Sequence, residues 1–128
     1  MARERTVTLL LHVPVTQECV EVATAALVVL NQHVLRRQPS LPWLYESGVR
    51  YRHVRGRELW GTIPDVLANP LMRDCKNLAA WRAAELRERS NVKAVTRVKQ
   101  ISDHLMHVVV EWPDGRIEDP SRVLGMGG

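Results

Sequence analysis

The stretch "EWPDGRIED", Glu111 to Asp119, constrains this chain most, because its turn chemistry dictates a strand register. Pro113 suits the second position of a turn, and Gly115 the left-handed position of a three-residue hairpin loop. Trp112 then stands opposite Arg116, Val109 opposite Asp119, and His107 opposite Ser121 if the ladder runs that far. Side chains alternate along a strand, so Leu105, His107, Val109 and Asp119 share a face. Asp119 becomes a diagonal neighbour of His107, within reach of a long side chain. A two-residue loop would put the two on opposite faces. The register therefore points to an Asp–His pair. The plainer alternative is a core histidine beside a carboxylate that caps the turn before Pro120.

The hairpin is expected to span His104–Trp112 and Arg116–Asp119, preceded by a strand over Val92–Ile101. Upstream, "DCKNLAAWRAAELRER" reads as a helix with Asp74 as N-cap and an end near Glu88–Ser90. Cys75 would be its first residue. Unpaired N–H groups and the helix dipole favour a thiolate there, and thiolate is the nucleophilic form. A buried packing cysteine is the competing reading. Cys19 is read as packing, since it lies in the first turn of an apolar helix with no basic neighbour in sequence.

That earlier helix is expected over Gln17–Arg37. Thr16 is its N-cap, Val20, Ala23, Leu27, Leu30 and Val34 form its apolar spacing, and Pro39 and Pro42 stop it. Residues 6–13, TVTLLLHV, read as a strand ended by Pro14. Between Ser40 and Pro70 the prolines, glycines and aromatics keep no period. Trp43, Leu44, Tyr45, Tyr51 and Trp60 argue for an ordered, packed segment with a short helix near Ile63–Ala68.

At 128 residues the chain is one domain, 45% apolar and 25% charged, so its core needs no disulfide or metal. The apolar runs are shorter than a membrane span requires, and the N-terminus lacks a small-residue cleavage site; a cytoplasmic origin is expected. The two cysteines have no C-x-x-C spacing, which argues against a zinc ribbon or a disulfide framework. A net charge of +4 permits acidic partners without demanding them.

A cysteine nucleophile needs a base and a group that orients the base. Among His12, His33, His53, His104 and His107, the hairpin register selects His107, with His104 as the fallback. "HLMH" lacks a nearby third ligand, so it is weak as a metal pair.

With a cysteine opening a helix, a histidine on a strand and an aspartate on the next, the chain resembles the transglutaminase-like superfamily of papain-type folds. It is most similar to the short transglutaminase-like cysteine peptidase domains of tailed phages and prophages. The matching stretches are "YESGVRYR" (45–52), "RELW" (57–60), "DCKNLAAWRAAELR" (74–87) and "DGRIEDPSRVLGM" (114–126). The resemblance implies an α+β fold, with the cysteine-bearing helix packed on a small antiparallel sheet. One N-terminal strand and a long helix (1–44) would precede the motif-bearing core (45–126), and 127–128 would be a tail. It also implies Cys75 as nucleophile, His107 as general base and acid, and Asp119 as the orienting carboxylate.

The implied activity is hydrolysis of a peptide or isopeptide bond in protein or peptidoglycan, without cofactor or metal, in the host cytoplasm or a virion. Trp60 is a candidate for completing the oxyanion hole, with a core role as its alternative. The family pattern has glycines before Asp-Cys and acidic residues after it. Here Pro70-Leu71-Met72-Arg73 and Lys76-Asn77 stand in those places. Lys76 would either lower the cysteine pKa or be solvated.

The competing reading is a virion structural protein that keeps the fold without catalysis and packs against viral structural proteins. The basic run Arg50, Arg52, Arg55 and Arg57 would then meet acidic protein patches or DNA, with a solvated loop as the plainer alternative. Nucleic acid ranks third as a partner, since no nucleic-acid motif surrounds these arginines.

Overall fold

The computed structural model describes residues 5–54, 58–103 and 105–127. Helix α1 spans Gln17–Arg37, α2 Ile63–Ala68, α3 Cys75–Arg89 and α4 Pro120–Val123. Strands β1 (Val95–Ser102), β2 (Leu105–Glu111) and β3 (Ile117–Glu118) form an antiparallel sheet in the order β1-β2-β3. The architecture is α+β.

α3 is the centre of the molecule, lying between α1 and the sheet. Ala79, Ala80, Ala83 and Ala84 are all fully buried. Their small side chains let neighbouring elements approach closely, so an alanine-rich sequence with little amphipathic pattern becomes the core helix. Leu78, Trp81 and Leu86 pack with Leu27, Val28 and Leu35 of α1 and with Val98, Val108 and Val110 of the sheet. Asn91 ends α3 at φ 53, a left-handed conformation that asparagine tolerates, and the Val92 N–H turns back to Leu86 O at 3.0 Å.

α1 is capped as its sequence suggests, with Thr16 Oγ1 accepting from Cys19 N at 3.1 Å. It is the one described helix with the length and apolarity to cross a membrane, a property the run-by-run reading did not register. Here it serves as a core helix: Thr24, Leu27, Val28, Asn31 and Leu35 are buried, and Asn31 Oδ1 accepts the Ile63 N–H at 2.9 Å. The described residues between 40 and 70 pack, as their aromatics suggest, around buried Leu44, Val49, Ile63 and Val66.

The expected strand over residues 6–13 is absent. The described part of the N-terminus before α1 has no regular structure, and its apolar side chains are exposed. A strand needs a partner edge, and among the described residues no strand pairs with this segment.

The hairpin adopts the expected register. Trp112 N donates to Arg116 O at 2.8 Å, Gly115 has φ 89, and Val110 and Glu111 pair with Glu118 and Ile117. The ladder stops there, so Val109 and Asp119 are not a backbone pair and Ser121 lies in α4, not opposite His107. Pro120 brings no N–H to a ladder and starts α4 instead.

Candidate active site

β3 pairs with only the last two residues of β2, which leaves the edge of β2 around Val108 open, and the first turn of α3 docks there. The Val108 N–H points at the Cys75 thiol and favours its ionised form. Cys75 thus sits against the residue that follows His107. His107 Nε2 meets Asp119 Oδ2 at 2.7 Å, with both side chains mostly buried. An ionised carboxylate only accepts, so Nε2 is the donor in this pair and Nδ1 is turned away from Asp119. Asp119 also caps α4, its Oδ1 accepting from Arg122 N at 3.4 Å, and its Oδ2 lies 3.5 Å from Arg122 Nε. The cap fixes the carboxylate that fixes the imidazole.

β3 itself is anchored from beneath. Glu118 accepts from Arg82 Nε at 2.6 Å, from Trp112 Nε1 at 3.1 Å and from the Tyr45 hydroxyl. Arg82 Nη1 also donates to Glu85 Oε2 at 2.8 Å, and Glu85 Oε1 accepts the Leu44 N–H at 2.9 Å. Burial raises the Glu85 carboxyl above its ordinary range, with Arg82 the main opposing influence. Burial alone would raise Glu118 as well, but its donors outweigh burial and hold it low. This network ties the strand before Asp119 to the helix that begins with Cys75.

Several expectations at the start of α3 are corrected. Asp74 occupies the N-cap, but its side chain makes no capping hydrogen bond and pairs with the Lys76 ammonium. Lys76 is not solvated: its side chain is 3% exposed, 3.5 Å from Glu58 Oε2, and its ammonium lies 5.2 Å from the centre of the Trp60 ring. Trp60 packs against the core and this cation. The Cys75 thiol is pushed up, not down. Burial is the largest cause and Asp74 adds to it, against the Val108 N–H and Lys76. Desolvation outweighs the influences that favour the thiolate.

Sequence reasoning missed three residues. Asn77 is fully buried; its Oδ1 accepts from Gly61 N at 3.1 Å, and its Nδ2 donates to Leu59 O and Met72 O, each at 3.0 Å. It fastens the Trp60 loop to the approach into α3. Glu58 was noticed only inside a matching stretch. Tyr51 was counted only as a packing aromatic. Its N–H donates to Leu124 O at 3.0 Å and the next N–H to Arg73 O at 2.9 Å, so it is held between the approaches to Cys75 and the end of α4. Burial first, then the charges of Cys75, Asp74 and Asp119, raise its hydroxyl pKa. No local pattern marks any of these roles, because each depends on segments distant in sequence.

A cleft of about 320 Å³ opens over Cys75, lined by the apolar Val15, Leu105, Met106 and Val108 and the acidic Glu58, Asp74 and Asp103. Cys19, His107 and Asp119 do not line it. His104, the fallback base, and Arg55 and Arg57 of the basic run lie outside the described residues, whereas Arg50 and Arg52 are exposed. Among the described residues, no group of three or more His, Cys, Asp or Glu side chains is placed to hold a metal ion. No protein-family model, no curated protein and no solved structure matches this chain.

Proposed function

We propose that this chain is a cysteine-dependent amide hydrolase of transglutaminase-like type, with Cys75, His107 and Asp119 as its triad. The observation that carries the reading is the 2.7 Å His107–Asp119 pair, on a strand whose next residue, Val108, sets its N–H against the thiol of a cysteine that opens a helix and lines a cleft. His107 Nδ1 takes the proton of the Cys75 thiol as sulfur attacks the amide carbonyl. The Cys75 N–H, at the positive end of α3, stabilises the oxyanion. The imidazolium, held by Asp119, then protonates the leaving amine, and the thioester is hydrolysed by water that His107 activates. The substrate class is a peptide or isopeptide in protein or peptidoglycan, and the setting is a phage-infected bacterium or a virion.

The test is incubation with quenched peptide and isopeptide libraries, read beside mass-spectrometric mapping of an electrophilic amide analogue. Turnover with adduct at Cys75, both lost in Cys75→Ala with the melting temperature preserved, supports the reading. Labelling confined to Cys19 sinks it.

One observation favours the virion-scaffold reading instead: the thiol is raised by burial, and Lys76 is locked into ion pairs where the family carries acidic residues. Assembly of normal, infectious particles by a Cys75→Ala phage would select that reading.

A further inference from the structure

Residues 6–13 carry strand chemistry and have no strand partner. Val7, Leu9, Leu10 and Leu11 are each at least 75% exposed, and Val13 and Val15 are exposed too. Alternation puts Val7, Leu9, Leu11 and Val13 on one wholly apolar face. A soluble chain does not leave such a face in water without a use for it.

The same chain carries a matching acceptor. Among the described residues, β1 pairs with no strand but β2, so no strand covers its other edge. Gln17 Nε2 donates to Val98 O at 3.1 Å, which shows that this carbonyl points out of the sheet edge. By strand alternation the peptide groups of Thr96 and Gln100 point the same way. Alongside Val95–Arg97 runs a cleft of about 380 Å³, floored by Val22, Ala25, Val28 and Val29 of α1. The donor segment has eight residues, the length of β1. In its own chain the segment leaves α1 at the Val98 end and stays exposed, outside this cleft.

We infer that residues 6–13 add as a strand to the outer β1 edge of a second copy of this chain, replacing the Gln17 bond to Val98 O there, with Val7, Leu9, Leu11 and Val13 set into its α1–β1 cleft. Donor and acceptor lie on one chain, so two copies can exchange segments reciprocally, and the inference is that they close as a two-fold pair. The four side chains set into the cleft represent roughly 350 Å² per segment. Counting both segments and the clefts that receive them, the pair buries on the order of 1,400 Å², within the range of stable interfaces. The edge that would otherwise invite aggregation is covered by the same contact. This inference is independent of the proposed catalysis.

The test is sedimentation equilibrium of the full chain over a dilution series, with amide exchange on the same samples. A mass twice that of the chain is expected, with the N–H groups of residues 6–13 protected. Two variants act on opposite sides of the contact: Leu9→Asp with Leu11→Asp on the donor, and Ala25→Lys in the cleft. Each should halve the mass and expose the segment, while the melting curve of the remaining fold stays cooperative. A chain that is monomeric at every concentration overturns the inference, whether its segment is exposed or folded into its own cleft. So does a pair that survives both variants.

Discussion

Replacing Arg82 with leucine tests the network that places Asp119. Arg82 is the only charged partner of Glu85 among the described hydrogen bonds, and the Glu85 side chain has no exposed surface. Removing one member of a buried pair costs about 3–5 kcal/mol, because the other charge is stranded. Arg82 is itself 15% exposed, and protonation can relieve Glu85, so the lower end, about 3 kcal/mol, is expected. For a domain of this size that lowers the melting temperature by roughly 10 °C.

The deficit should depend on pH. Glu85 already has a raised pKa, so its charged form opposes folding as pH climbs through that value, and losing Arg82 worsens this. Glu118 has a lowered pKa, so it stabilises the fold above the ordinary glutamate value and loses that contribution as pH falls. Losing Arg82 removes part of that contribution. Both effects make the variant's deficit largest at about pH 8 and smaller near pH 5. Urea melts at the two pH values measure it, and adding Glu85→Leu should recover much of the loss. A deficit below about 1 kcal/mol that does not vary with pH would refute the argument.

Three further outcomes follow from the site. Alkylation of Cys75 should rise with pH with a midpoint above the ~8.5 of an ordinary thiol; a midpoint below it would show that the helix terminus outweighs burial. Asp119→Asn keeps a good cap for α4 but offers His107 the wrong partner, so turnover should fall on the order of 10³–10⁴-fold with little change in melting; equal turnover would remove Asp119 from the mechanism. Gly61→Ala puts a methyl 2.5 Å from Met72 Sδ and 2.9 Å from Asp65 Cβ, and should cost about 1–3 kcal/mol in chemical melts. A neutral result would mean that the loop shifts freely despite its bond to Asn77.

Much of the frame was legible locally. α1, α2 and α3 fall where caps, prolines and apolar spacing put them, and the proline–glycine turn gave the hairpin its register. The pairing of His107 with Asp119 was legible from alternation along the strands, although the ladder ends before Asp119 and the α4 cap is what holds the carboxylate there.

Tertiary structure decided the rest. Whether Cys75 ionises depends on how much of α3's first turn is desolvated, and a helix cap says nothing about that. Lys76 reads as a surface residue until Glu58, Trp60 and Asp74 close around it. Residues 6–13 have the composition of a strand, but a strand exists only where another edge meets it. Caps, turns and alternation act over a few residues and can be read in order along the chain. Burial and pairing are set by segments far apart in sequence, and only the folded chain brings those together.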